Sequence, residues 1–390
     1  MITQTLALFL DAYRELNARR LFWIVLGLSG LIVGSMACVA NDAEGLVVLW
    51  WHIDLPFLST AVMPRPMFYK LMFIALGINV WLTWAAMVLA LVSTSGIIPE
   101  FVSNGSIEMA LSKPIGRLRL FLTKYATGLL FVALQVTVFS LGAFLVLGVR
   151  GGEWSWRLFL AVPLVVLVFS YLYALCALIG LLTRSGIAAL LLTVLCWLMI
   201  FLVHTTETGV LLQLRVENEQ AVVQRKADLE TREARLTEAK AARDEAAASP
   251  ERAADLARLN DQIAGMERTI ATRQTRLQSV ESTLRKLRIA HSILFGVKTV
   301  MPKTAETSGL LQRALLTKED QDRLIARAPE PPPGFDRDTE PDLRVSPRFV
   351  QREVNRILRG RSIGWVIGTS LAFEAAMVLL AAAWFVRKDY

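Results

Sequence analysis

Six long stretches of the chain carry almost no charge, and each is long enough to cross a lipid bilayer as a helix. A spanning helix needs roughly 20 mostly apolar residues. The stretches are approximately Leu21–Ala40, Leu71–Val92, Leu120–Val149, Leu158–Leu182, Ile187–His204 and Ile363–Val386. The sequence therefore predicts an all-α, polytopic membrane protein with six transmembrane helices.

The overall composition agrees with a membrane body and excludes several other classes of protein. Of the 390 residues, 54% are hydrophobic and 19% are charged, whereas a soluble domain carries about 25% charged residues. A cytosolic enzyme, a disordered tail and a secreted disulfide scaffold are therefore excluded. The three cysteines, Cys38, Cys176 and Cys196, lie in apolar runs, which is typical of small buried side chains rather than of a redox or metal site.

The charged residues are concentrated in one part of the chain. From Val210 to Arg361 there are 28 of the 42 Lys and Arg residues and 23 of the 34 Asp and Glu residues. The sequence therefore predicts four regions. These are residues 1–207 with an interfacial helix and five spans, 208–300 with a helical hairpin, 301–361 with a Pro-rich linker and a surface helix, and 362–390 with the sixth span and a tail.

The residues before the first span have the pattern of an amphipathic helix. Apolar side chains from Ile2 to Leu16 share one helical face, opposite Asp11 and Glu15, so a helix lying flat in the membrane interface is expected. Lys and Arg in short loops favour the cytoplasmic side. With six alternating spans, that rule predicts that both termini are cytoplasmic and that the insert between spans five and six is extracytoplasmic.

The insert contains the heptad pattern of a coiled coil. Its apolar positions are spaced alternately by three and four residues over about five heptads, with Arg273 at the one position that is not apolar. They are Leu256, Leu259, Ile263, Met266, Ile270, Leu277, Val280, Leu284 and Leu287. A weaker repeat precedes Ala248–Glu251, where Pro250 suits the first turn of a new helix. The pattern predicts a long antiparallel coiled-coil hairpin with arms of roughly 55–60 Å.

Two interpretations of this hairpin remain open. Charged side chains such as Arg225, Arg232 and Lys240 occupy much of the seam in the first arm. The hairpin is then either a self-contained spacer or a surface that binds an extracytoplasmic, periplasmic partner. After it, Pro329–Gly334 predicts a stiff linker, and Pro347–Leu358 predicts a basic amphipathic helix on the membrane surface.

The sequence lacks the patterns of catalytic and metal sites. Gly296–Thr299 resembles the end of a phosphate loop, but the earlier glycine is missing, and a coiled coil rather than a strand precedes it. Charges interleaved along helices without aromatic platforms do not indicate a nucleic-acid partner. We therefore expect no catalytic residue, no metal and no cofactor in this chain, and no enzymatic activity of its own.

One polar segment between the second and third apolar stretches has a recognisable pattern. It runs from Gly96 to Arg117 and contains an acidic residue, an Asn-Gly pair, a short run ending in Leu-x-x-Pro and then a basic residue. This segment resembles the ATP-binding-cassette (ABC) type-2 exporter permeases. The leader, the six spans and the charged ending are also similar to that family, and the resemblance covers residues 1–207 and 362–390. The insert departs from the family, whose outer segment is much smaller there.

The resemblance implies that this segment is a coupling helix that contacts a separate ATPase subunit. The residues carried over are Glu100, Phe101, Asn104, Gly105, Glu108, Leu111, Pro114 and Arg117. The residue pattern alone predicts a short helix over Ser106–Leu111, capped by Asn104. Such a helix could equally be an ordinary loop helix that packs on the membrane core. By resemblance, ATP and Mg belong to the partner ATPase, a second permease copy or homologue completes the complex, and the location is the bacterial cytoplasmic (inner) membrane.

Glu374 lies about eleven residues into the sixth apolar stretch. A carboxylate at that depth is costly unless it is paired, protonated or facing water. It is therefore either part of a transport path or a carboxyl that bonds to a neighbouring helix. Asn79 and Gln135 are the milder candidates for such a path, and both also fit interhelical hydrogen bonding.

Three functions follow from these features. The first is an exporter permease whose packing alternates as a separate ATPase pair closes. The second is an ATP-driven mechanotransmitter, in which nothing crosses the membrane and the hairpin acts on an envelope partner. The third is a static membrane scaffold, which six spans and a coupling-like segment disfavour.

Overall fold

The computed structural model describes residues 20–55, 58–103, 116–214, 219–247, 253–316, 320 and 360–388. These residues are mostly helical. They belong to two compact units, which are described separately below. The first unit draws on residues 1–202, 298–324 and 358–390, and the second on residues 203–297 and 325–357. The predicted interfacial helix before Arg20, the hairpin reversal at 248–252, the Pro-rich linker and the basic surface helix lie outside the described residues.

Six helices are long and apolar enough to cross a membrane, as predicted. They are span 1 (Arg20–Cys38), span 2 (Arg65–Val102), span 3 (Arg117–Gly151), span 4 (Trp156–Thr183), span 5 (Gly186–Gln213) and span 6 (Ile363–Arg387). Spans 2 and 5 are longer than the apolar stretches predicted. Span 2 consists of α-helix at Arg65–Met72, a π-helical segment at Phe73–Ala85, α-helix at Ala86–Thr94 and a short helix at Ile97–Ser103.

Local chemistry explains several ends of these spans. Span 6 begins after Ser362, whose hydroxyl accepts a hydrogen bond from the Trp365 amide at 3.2 Å, as an N-cap residue does. Span 3 ends at Gly152 with φ of 75°, and span 4 ends at Arg184 with φ of 55°. A left-handed residue is a common helix terminator because it allows the last carbonyls to be bonded.

The core of the first unit lies where spans 3, 4 and 6 pack together. The ring of Phe121 in span 3 lies 5.7 Å from that of Phe385 in span 6, and the ring of Tyr125 in span 3 lies 5.2 Å from that of Tyr173 in span 4. Gly128 of span 3 permits the closest approach, because a Cβ at that position would lie 2.5 Å from the ring of Tyr173. This packing brings three helices together at the carboxyl group of Glu374, which is described below.

A small antiparallel sheet between spans 1 and 2 was not predicted from the sequence. Its strands are β1 (Val39–Asn41), β2 (Gly45–Val48) and β3 (Trp51–Asp54), in the order β1-β2-β3. The all-α prediction did not include it because β1 follows directly on an apolar helix, and Val39 and Ala40 fitted the predicted span Leu21–Ala40. The sheet is fixed to span 2 by Tyr69, whose hydroxyl donates to the Val39 carbonyl at 2.8 Å.

A second unexpected element lies in the region predicted as a linker. Helix α3 (Thr304–Leu315) buries Leu310, Leu311 and Leu315 and packs mainly against span 4. Its Gln312 also donates to Asn79 of span 2 at 2.6 Å. This part of the polar insert therefore belongs to the first, membrane-like unit.

The second unit contains most of two long helices, α1 (Glu219–Ala247) and α2 (Ala253–Val300). Polar pairs join them, namely Lys226 with Glu281 at 2.9 Å, Glu233 with Gln274 at 3.0 Å and Lys240 with Glu267 at 2.7 Å. Residue numbers rise along α1 while those of the partners fall along α2. The two helices therefore run in opposite directions.

The side chains of the predicted apolar seam of α2 are buried to different extents. Ile263, Ile270 and Leu284 are buried, as is Leu229 of α1, whereas Met266 is 36% exposed. The remaining described seam positions are half-buried, and these are Leu256, Leu259, Leu277, Val280 and Leu287. The contact between α1 and α2 therefore consists of a narrow row of apolar side chains together with the exposed polar pairs described above.

Candidate coupling surface and intramembrane polar sites

The short helix Ile97–Ser103 leads into the segment that resembles a coupling helix. Its first two residues, Ile97 and Ile98, are buried in the core. Pro99 packs on Gly180 of span 4, where a Cβ would lie 2.7 Å from the proline Cγ. The lack of a side chain at Gly180 therefore lets this helix dock closely on span 4.

The opposite side of the same helix carries two of the predicted coupling residues. Glu100 is exposed and Phe101 is half-buried. The ammonium of Lys124, from span 3, lies 5.4 Å from the centre of the Phe101 ring, within the range of a cation–π contact. Both ends of the predicted segment thus meet span 3, since Arg117 begins that helix.

Arg117 connects the start of span 3 with the end of span 6. Its guanidinium donates to the carbonyl of Val386 at 3.2 Å and to that of Lys388 at 3.1 Å. The last carbonyls of a helix lack intrahelical partners, so a basic side chain there stabilises the helix end. The centre of the predicted surface, with Asn104, Gly105, Glu108, Leu111 and Pro114, lies outside the described residues.

Glu374 is held by two other spans. The hydroxyl of Tyr125, from span 3, lies 3.0 Å from Oε1, and the hydroxyl of Ser170, from span 4, lies 2.8 Å from Oε2. The side chain itself is half-buried. Hydroxyl donors offset part of the cost of burying a carboxyl group. The structure therefore supplies the partners that the sequence could not name.

Asn79 and Gln135 have partners of their own, distinct from those of Glu374. The amide of Gln135 donates to the Phe22 carbonyl at 3.4 Å and links span 3 to span 1, while Asn79 accepts from α3. Gln135 also lines a cavity among spans 1 to 4 with about 10 Å³ of space for water-sized molecules. That is enough for about one water. The three candidate path residues do not share a bonding network.

A charged cluster at the C-terminal end of α2 was missed in the sequence. Lys298 Nζ lies 2.5 Å from Glu306 Oε1 of α3, and the guanidinium of Arg361 lies 3.0 Å from the same oxygen. Lys303 Nζ donates to the Thr299 carbonyl at 2.6 Å. The cluster could not be predicted from local sequence pattern, because more than fifty residues lie between Glu306 and Arg361. Lys298 had appeared only as part of an incomplete phosphate-loop pattern.

Lys303 is the most deeply buried cation of this cluster. Its side chain is 1% exposed, and its ammonium lies 4.9 Å from the centre of a Trp365 ring. Burial lowers the pKa of Lys303 to about 8, with Glu306 opposing the shift and the cations Lys298 and Arg361 adding to it.

The second unit contains a buried carboxylate near the end of span 5. Glu207 is fully buried, and its Oε1 lies 3.2 Å from Nε2 of His291 in α2. Among the residues that the structure describes, no three His, Cys, Asp or Glu side chains meet as a metal site requires. The pair therefore joins two helices within that unit.

Comparison of the chain with known protein families, characterised proteins and solved structures found no match. The class of protein is therefore inferred from the six apolar helices among the described residues. They indicate a multi-pass membrane protein.

Proposed function

We propose that this chain is the membrane subunit of an ABC transporter complex. In this proposal a separate ATPase subunit hydrolyses ATP with Mg, and the chain couples that hydrolysis to export or to extracytoplasmic movement. Both termini are cytoplasmic, the membrane is the bacterial inner membrane, and a second copy or homologue completes the complex. The leader before Arg20 lies flat in the interface.

The observation that carries the proposal is the anchoring of both ends of the Gly96–Arg117 segment. At one end, Pro99 packs on Gly180 of span 4 and Phe101 meets Lys124 of span 3. At the other end, Arg117 bonds the end of span 6. A partner that pushes on the segment would therefore displace spans 3, 4 and 6 together, which is what a coupling element must do.

A charge reversal tests the coupling surface. Glu100→Lys should reduce co-purification of an ATPase subunit, and ATP hydrolysis by the complex, without reducing the yield of the membrane chain. Glu44→Lys is the matched control, because Glu44 is also exposed but lies in the turn between β1 and β2. If the two variants assemble and hydrolyse ATP equally well, the proposed surface is wrong.

A mechanotransmitter is the second candidate, and the charged cluster favours it. In this alternative α1 and α2 form an extracytoplasmic coiled-coil hairpin that acts on an envelope partner. Glu306 bonds Lys298, at the end of α2, and Arg361, just before span 6. In this alternative, movement of span 6 would reach the end of α2 through these ion pairs.

Deletion of residues 222–287 separates the two candidates. If the hairpin is accessory, ATP-dependent efflux persists in the deletion variant and the first candidate holds. If no efflux is measurable in the intact complex and the deletion releases an extracytoplasmic protein, the chain is a mechanotransmitter. A static scaffold would copurify with no ATPase in either form.

A further inference from the structure

We propose that the turn between β2 and β3, at Leu49 and Trp50, is a membrane foot that inserts its side chains into the headgroup–acyl boundary of the leaflet where span 1 ends. The ligand is the lipid surface itself, recognised through apolar and aromatic side chains. This inference rests on the six-span membrane body and is independent of any ATPase.

The turn lies directly beside the end of span 1. β1 starts at Val39, the residue after span 1 ends, so no linker separates the sheet from the helix. β2 returns toward the helix, and the amide of Leu49 donates to the carbonyl of Cys38 at 2.8 Å. The turn is therefore level with the last residue of the span.

The length of span 1 places that residue at the edge of the hydrocarbon. From Arg20, the first residue that the structure describes, to Cys38 the helix has 19 residues, which at 1.5 Å per residue gives about 28 Å. The hydrocarbon core of a bilayer is about 30 Å thick. A turn beside Cys38 thus lies at the interface, where tryptophan side chains are enriched in membrane proteins.

The side chains of the turn are apolar and exposed. Leu49 is 58% exposed, Trp50 72% and Trp51 70%. The register pairs Val48 with Trp51 and Leu46 with Ile53, so both apolar residues of β3 share a face with Leu46, which packs against the core.

The backbone of the turn is left-handed at Leu49. Leu49 has φ of 58°, and glycine is the usual residue at a positive φ in the first position of a two-residue hairpin loop. A leucine at such a position is strained.

The lipid partner is expected to be recognised without regard to headgroup charge. Neither Leu49, Trp50 nor Trp51 carries a charge, and the charged residues of the sheet, such as Asp42 and Glu44, lie in the turn at the far end. A second copy of the chain is the competing occupant, and the experiment below distinguishes it.

Fluorescence quenching in nanodiscs tests the foot. The chain with Cys38, Cys176 and Cys196 replaced by alanine receives Trp50→Cys and an environment-sensitive label. It is placed in discs holding one chain each, with lipids that carry a nitroxide at the headgroup. Ala43→Cys, in the turn at the far end of the sheet, is the matched control.

The expected result is loss of fluorescence at position 50 and little loss at position 43, with the same loss in zwitterionic and anionic lipid mixtures. Leu49→Asn, which suits a left-handed backbone, should reduce the quenching at position 50. Equal fluorescence at both positions, or quenching at position 50 only in discs holding two chains, would overturn the proposal. Should the cysteine-free chain not fold, photoreactive lipids on the unaltered chain give the same answer. Crosslinks at residues 49–51 support the foot, and crosslinks that spare them overturn it.

Discussion

Lys298 Nζ lies 2.5 Å from Glu306 Oε1, and both side chains are 5% exposed. The pair joins the last turn of α2 to the first turn of α3, and Arg361 adds a second cation to the same oxygen. Removal of one partner from a buried pair leaves an uncompensated charge, which costs about 3–5 kcal/mol. The cluster is therefore expected to fix α3 at the start of span 6.

Glu306→Gln should lower the thermal stability of the chain in detergent by an amount that corresponds to about 3–5 kcal/mol, because the buried Lys298 and the half-buried Arg361 lose their shared carboxylate. Glu281→Gln is the control. It removes the partner of Lys226, whose side chain is 54% exposed, and a surface pair contributes only about 0–1 kcal/mol. Equal melting temperatures for the two variants would show that the cluster is not stabilising.

Stability should rise between about pH 8 and pH 10 because of Lys303. Its pKa in the folded chain is about 8, while an unfolded lysine titrates near 10.4. In that interval the unfolded chain binds more protons than the folded chain, so raising the pH favours folding. Lys303→Met should abolish this gain, of the order of 1–3 kcal/mol. Thermal melts of both chains across the interval measure it, and identical pH profiles would refute the assignment.

Gly180→Val should displace the helix Ile97–Ser103 from span 4 and reduce binding of the proposed ATPase subunit. A Cβ at Gly180 would lie 2.7 Å from Pro99, whereas a Cβ at Gly30 would meet nothing within 4 Å. Gly30→Val is therefore the matched control, with the same change of side chain in a helix. Co-purification with the ATPase is the measurement, and equal recovery from both variants would show that docking on span 4 does not position the coupling segment.

The hydrogen bond between Tyr125 and Glu374 should be measurable by a double-mutant cycle. Tyr125→Phe and Glu374→Ala remove the two ends of a 3.0 Å contact. Hydrogen bonds between membrane helices contribute about 0.6–1.7 kcal/mol, so the combined loss of stability should be smaller than the sum of the single losses by that amount. Strict additivity would mean that the contact does not join spans 3 and 6.

The sequence predicted the parts of the fold that depend on local pattern. Apolar runs are sufficient to define six membrane helices, because length and hydropathy are properties of one segment. Glu374 also stood out, since a carboxylate in such a run is rare. Its partners Tyr125 and Ser170 did not, because each is an ordinary residue of a different helix.

The elements that the sequence missed depend on contacts between distant segments. The β1–β3 sheet contains valines that also fit an apolar helix, and only pairing with β2 distinguishes them. Helix α3 has a short amphipathic pattern inside a polar region, and its docking on span 4 involves Leu311 and Leu315. The cluster around Glu306 combines three segments that are remote in sequence. Such sites become visible only when the fold is known.

The central claim is that a separate ATPase drives this chain through the segment between Gly96 and Arg117. The most direct measurement is purification of the chain from its native membrane, identification of the proteins that co-elute, and assay of ATP hydrolysis before and after their removal. We expect a co-eluting protein with a phosphate loop, hydrolysis by the complex and none by the chain alone. Hydrolysis by the chain alone, or the absence of any nucleotide-binding partner, would contradict the claim.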